Sequence, residues 1–135
     1  MARVRAVYER LKIKTELAQF FTDLPAKLAS NHLVVSRSGA GTVAELAAIG
    51  RPSILVPLPG SIDQDQFANA GVLSLAGGAL RIPQAEFTAE RLAAEISALS
   101  ADPARLSAMA EAARKVGRLD AAQRMADLVT KVAGI

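Results

Sequence analysis

Short apolar runs alternate with helix-periodic stretches along most of this chain. Leu33-Val34-Val35 and, after Ser53, Ile54-Leu55-Val56 are continuous apolar segments, short as strands are. Bounded by turn residues, they read as buried strands. Between them Val43, Leu46 and Ala47 recur at helical spacing, and Gly50-Arg51-Pro52 ends that helix. Residues 63–75 read as the next helix, Gly77-Gly78 as its stop, and 79–82 as a short third strand. Three helices close the chain. The first covers 88–99 with Leu92, Ile96 and Leu99 inward, the second 103–116 with Asp102 as cap, and the third 120–132 with Met125, Leu128 and Val132 inward. Upstream, residues 2–12 form a short surface helix with Val4, Val7, Tyr8 and Leu11 on one side. Residues 13–17 suit a strand, and Phe20–Pro25 a loop entering a helix, with Thr22 or Asp23 as cap and Pro25 in the first turn. Strands alternating with helices predict an α/β architecture, a Rossmann-like parallel sheet with flanking helices.

Composition narrows the picture. At 135 residues, 51% of them hydrophobic, the chain suits a single domain with a real core and argues against disorder. Its longest apolar runs fall well short of the roughly 18 residues of a membrane span, and no apolar signal region follows Met1. A cytoplasmic protein is therefore expected. The chain has no cysteine, which fits that compartment and excludes disulfides and thiolate metal sites. The sequence pI near 9.7 suggests nucleic acid, but the charge is unevenly placed. Between residues 38 and 90 only Arg51 and Arg81 oppose Glu45, Asp63, Asp65, Glu86 and Glu90. The glycine-rich segment is thus acidic, and with aromatics at 4% there is little on which to stack bases. Nucleic-acid binding is not expected.

The most informative stretch is Ser36-Arg37-Ser38-Gly39-Ala40-Gly41-Thr42-Val43-Ala44-Glu45, a strand-to-helix junction of small residues ending in an acid. At a helix N-terminus the first N–H groups lack partners and the dipole favours negative charge, so a diphosphate is held without a cationic side chain. Glu45 has two readings. Thr42 to Glu45 fits a capping box, in which Thr42 caps the helix and Glu45 reaches back to it. Alternatively, the carboxylate accepts hydrogen bonds from the ribose hydroxyls of a nucleotide whose phosphates lie on the turn. The glycines alone are neither a P-loop nor a full G-x-G-x-x-G, since Ala44 stands at the third glycine. The loop after the second strand, Pro57 to Asp63, opens on the same sheet edge, where ligands bind in open α/β folds. Asp63-Gln64-Asp65 has the spacing of a D-x-D cation motif, although two carboxylates are a thin ligand set.

Three ordered segments, His32 to Leu46, Gly50 to Pro57 and Asp63 to Ala70, closely resemble the C-terminal half of the MurG family of GT-B glycosyltransferases, family 28. The similarity extends to Phe20–Leu24 and the terminal helices. It implies a donor-binding domain for UDP-N-acetylglucosamine in an enzyme that makes lipid II from lipid I for peptidoglycan, working without cofactor or metal. By this resemblance Phe21 reads the uracil edge through its backbone and Leu24 covers the base. Ser38, Ala40, Gly41 and Thr42 form the turn beside the diphosphate, Glu45 binds the ribose diol, Gln66 contacts the donor sugar, and Asn69 lies one turn further on. The parent enzyme is expected to sit peripherally on the inner face of the cell membrane.

By the same resemblance Asp65 counts among the donor-binding residues, as a sugar contact. The sequence departs from the family at this Asp65, often Gln or His, at Gly41, often a larger aliphatic, and at His32, usually acidic. For His32 a structural role is favoured over acid–base chemistry. The resemblance also implies that 1–135 is a single domain lacking its first strands and the N-terminal acceptor domain. Lipid I would be held by that absent domain, a polypeptide carrying it would be a partner, and the catalytic residues would lie there. The chain alone would then be inactive. Two other functions compete: a non-catalytic α/β module whose open sheet edge is completed by a second chain, and, less well supported by the broken glycine motif, a fragment of a dinucleotide-dependent oxidoreductase.

Overall fold

The computed structural model describes residues 1–134. Three short parallel strands, β1 (Val34–Ser36), β2 (Ser53–Leu55) and β3 (Ala79–Arg81), lie in the order β1-β2-β3. The register pairs Val34 with Ser53 and Ser53 with Ala79. Helix α3 (Ala40–Ile49) connects β1 to β2, and α4 (Asp65–Ala76) connects β2 to β3. Helices α1 (Ala2–Arg10) and α2 (Leu24–Ser30) precede the sheet; α5 (Ala89–Ser100), α6 (Pro103–Val116) and α7 (Ala121–Ala133) follow it.

Alternation along the strands divides the apolar residues between two cores. Leu55 and Ala79 pack with Leu28, Val43, Leu46, Ala47, Ala70, Leu73 and Ala113 beneath α2, α3 and α4. Ile54 packs with Ile82, Leu99 and Met109 on the other face, beneath α5 and α6. Helix α6 supplies Ala113 to one core and Met109 to the other, which closes the domain.

The helix boundaries follow local chemistry. Gly50 (φ 73°) and Gly77 (φ 87°) take the left-handed conformation that ends α3 and α4. Asp102 Oδ1 accepts from the Arg105 N–H at 2.9 Å, so the expected cap of α6 forms; α5 begins one residue later than expected, with Thr88 as its cap, Oγ1 accepting from the Arg91 N–H at 3.1 Å. Because α6 bridges both cores, Asp102→Ala should lower the stability of the whole domain by about 1 kcal/mol. Urea denaturation followed by circular dichroism checks this; an unchanged midpoint would show that the cap contributes nothing.

Several expectations are corrected. Residues 13–17 form no strand: their alternating pattern finds no neighbouring strand, and Glu16 instead pairs with Lys27. Helix α4 starts at Asp65, after a 3-10 turn (Ile62–Gln64) in which Asp63 (φ 51°) and Gln64 (φ 54°) are left-handed. The first strand lies at the sheet edge, so Val35 is 42% exposed. On α7, Met125, Leu128 and Val132 are each more than half exposed, and Ile96 on α5 is also exposed. Helix α1 likewise buries none of its residues. Helical periodicity marks an apolar face but not what covers it, and α6 already occupies the surfaces of α3 and α4. Among the described residues, no helix is long and apolar enough to cross a membrane.

Candidate functional site

All three strands end on one edge, and the side chains there tie the loops together. The Arg37 guanidinium donates from Nη1 to the Val56 and Pro57 carbonyls, both at 3.2 Å, and from Nη2 to Gln84 Oε1 at 2.6 Å. It thereby joins the ends of all three strands. The next residue, Ser38, is fully buried, and its hydroxyl donates to the Gln66 carbonyl at 2.7 Å. This bond fixes the β1–α3 turn against the first turn of α4.

Gly39 is the N-cap of α3, and no side chain caps the helix. The first intrahelical donor is the Val43 N–H, to Gly39 O at 3.0 Å. The N–H groups of Ala40, Gly41 and Thr42 therefore precede the ladder, as an anion-binding turn requires. The capping-box reading is corrected: Thr42 is the third helical residue, not the cap, and Glu45 lies a turn further along, exposed to solvent. A Cβ at Gly41 would meet nothing within 4 Å, so glycine here relieves no contact at that position.

The other expected site residues fall into two clefts beside this turn. Phe21 and Leu24 line a cavity of about 480 Å³ with Lys27, Leu28, Val34 and Val35, along the β1 edge. Lys27 Nζ lies 4.9 Å from the Phe21 ring centroid and 2.7 Å from a Glu16 carboxylate oxygen. The hydrogen bond to Glu16, supported by nearby Asp23, holds the Lys27 ammonium above its ordinary pKa despite partial desolvation. Ala40 and Asn69 line a second cleft of about 280 Å³ between α3 and α4, with Val43, Ala44 and Val72.

Gln66 faces the Pro57–Ser61 loop: its Oε1 accepts from the Leu58 N–H at 3.0 Å, leaving its amide nitrogen as the available donor. Two expectations change here. Ser38 lies beneath the turn, its hydroxyl engaged with Gln66, and offers a ligand no surface. Asp65 turns its Oδ1 back onto the Gln66 N–H at 2.7 Å, so one carboxylate oxygen serves the start of α4. Among the described residues, no three His, Cys, Asp or Glu side chains gather as a metal site would need. His32 is exposed at the opposite end of β1. Sequence reasoning missed Arg37, Arg81 and Gln84. Only Arg37 carried a signal, as a cation ending an apolar strand beside the glycine turn.

A family model, the glycosyltransferase family 28 C-terminal domain, matches residues 2–125. The chain belongs to this family. Family 28 relatives are similar over its whole length: the chain is 81% identical over 135 residues to a Bradyrhizobium diazoefficiens protein named UDP-N-acetylglucosamine–N-acetylmuramyl-(pentapeptide) pyrophosphoryl-undecaprenol N-acetylglucosamine transferase. It is 78% identical over 133 residues to the protein of the same name from Nitrobacter hamburgensis. It spans 37% and 36% of those relatives. Among solved structures, Acinetobacter baumannii MurG superposes with a TM-score of 0.88 at 30% identity, covering 96% of this chain and 40% of that one. A glycotransferase of kitacinnamycin superposes at 0.59 with 29% identity, covering 90% of this chain and 33% of its own. The family 28 match agrees with the parallel sheet and its helices, and the solved MurG carries the same architecture.

Proposed function

We propose that this chain is the donor-binding part of an enzyme that transfers N-acetylglucosamine from UDP-N-acetylglucosamine to lipid I, forming lipid II. The observation that carries the reading is the uncapped N-terminus of α3, with an unengaged acid one turn on and Gln66 locked beside it. The names of the Bradyrhizobium and Nitrobacter relatives support the same donor and acceptor. In this reading the diphosphate lies on the Ala40–Thr42 N–H groups and the ribose diol on Glu45. The base lies in the cleft of Phe21 and Leu24, the sugar against the Gln66 amide nitrogen, and Asn69 borders the cleft beyond it.

The chemistry follows from that placement. An acceptor hydroxyl forms a bond to the anomeric carbon while the bond from that carbon to the diphosphate breaks, and UDP leaves with the electron pair. The α3 dipole and free N–H groups stabilise the negative charge gathering on the diphosphate, a role that metal ions fill elsewhere. The base that takes the acceptor's proton, and the binding of lipid I, belong to the N-terminal domain that such an enzyme adds. The parent enzyme then works peripherally at the inner face of the cell membrane, and residues 1–135 form one sugar-nucleotide domain.

Calorimetric titration of the chain tests the donor site: UDP and UDP-N-acetylglucosamine should bind in the millimolar range or tighter, and NAD should not. A folded chain that binds neither uridine ligand refutes the reading. A second reading, a module completed by another polypeptide, is favoured by the open β1 edge and the exposed apolar face of α7. It is compatible with the first if that polypeptide is the N-terminal half.

A further inference from the structure

The first turn of α4 is gripped by side chains from two other parts of the chain, Ser38 after β1 and Arg81 at the end of β3. Gln66 O and Phe67 O already belong to the i to i+4 ladder of α4. Each nevertheless receives a second donor. Ser38 Oγ reaches Gln66 O at 2.7 Å, and Arg81 Nη1 reaches Phe67 O at 3.1 Å. The Arg81 guanidinium also lies 3.8 Å from the Phe67 ring centroid, a close cation–π contact. Gly71, in the interior of α4, leaves room for this, since a Cβ there would stand 3.3 Å from Arg81 Nη1. Glycine at a helix interior costs about 1 kcal/mol relative to alanine, and here it accommodates the close approach of a cation.

We propose that Ser38 and Arg81 are positioning residues that set the distance between the Ala40–Thr42 turn and the Gln66 side chain, and so determine how much a hexose adds to nucleotide binding. This rests on the donor-site reading above. Ser38 stands two residues before the phosphate turn and holds the backbone of Gln66. The Gln66 side chain is steadied in turn by the Leu58 N–H. Replacing Ser38 by alanine leaves the Gln66 carbonyl its helical partner, so the domain folds. The turn and α4 then lose their fixed spacing. A nucleotide diphosphate touches only the turn side and is indifferent to that spacing. A nucleotide-sugar spans it.

The test is calorimetric titration of the full chain, parent and variants, with UDP and with UDP-N-acetylglucosamine. Circular dichroism confirms that each variant is folded. Ser38→Ala should leave UDP affinity within about twofold and weaken UDP-N-acetylglucosamine about fivefold, the scale of one hydrogen bond. Arg81→Lys keeps the charge but not the planar fork, and should lower the same ratio; it serves as the test if Ser38→Ala does not fold. An unchanged ratio of the two affinities, equal weakening of both ligands, or a parent chain to which the sugar adds nothing overturns the proposal while leaving the nucleotide site standing. A parent chain that binds neither ligand overturns the donor-site reading and the clamp with it.

Discussion

Glu45→Ala should lower the affinity of the chain for UDP by roughly tenfold or more and shift its thermal midpoint by no more than about 2 °C. The first expectation follows from charge. A carboxylate that accepts from ribose hydroxyls makes a charge-assisted contact worth about 1.5–3 kcal/mol, and truncation leaves the diol to water. The second follows from where α3 begins. With Thr42 as cap, removing Glu45 would also cost helix stability. Gly39 is the cap instead, and Glu45 is exposed on the second turn with its neighbours Val43 and Leu46 carrying the packing. Alanine also has the higher helix propensity. Affinity and stability are therefore expected to separate in this variant. Calorimetry with UDP and thermal melting on the same sample measure both. If the midpoint falls while affinity holds, Glu45 serves the helix and the ribose assignment is wrong.

The same junction shows what the sequence disclosed and what it withheld. Strands β1 to β3, the stops at Gly50 and Gly77 and the cap at Asp102 were legible because each rests on chemistry within a few residues. The start of α3 was not, because Gly39 and Thr42 both suit an N-cap and only the backbone decides between them: Gly39 is extended (φ −60°, ψ 150°) and the helix begins at Ala40. Nor was the burial of Ser38 just before it, whose partner Gln66 lies 28 positions away. Arg81 was silent for the same reason: its partners, Phe67 O and the Phe67 ring, meet it only after β3 is laid beside β2. On α7 the period of Met125, Leu128 and Val132 was read correctly as a helix face, but nothing within the chain's own pattern says whether the domain itself covers that face. Of the candidate site, the glycine turn and Glu45 were visible in the sequence, and the contacts of Ser38 with Gln66 and of Arg81 with Phe67 were not.

Leu46→Ala should lower folding stability by about 2–5 kcal/mol, the largest loss expected from any single substitution at the site's base. Leu46 is fully buried, in the core formed by Val43, Ala47, Leu55, Ala70, Leu73 and Ala113. Its carbonyl also accepts from the Gly50 and Arg51 N–H groups that end α3, so the residue anchors both the packing and the stop of the helix. Alanine keeps the backbone bonds and removes most of the side chain. The cavity lies between α3, α4 and α6, which meet at that point and have little room to close over it. Domains of this size are typically stable by only about 5–15 kcal/mol, so the variant should unfold at markedly lower urea. Glu45 and Leu46 are consecutive, yet one faces solvent and the other the core. In urea melts with and without saturating UDP, the Leu46→Ala chain should regain stability as ligand is added, because a folded fraction with an intact turn still binds. The Glu45→Ala chain should gain far less. A Leu46→Ala midpoint equal to the parent's would mean that α3 is not packed on the sheet in this way, and the position of the diphosphate turn at its N-terminus would fall with it.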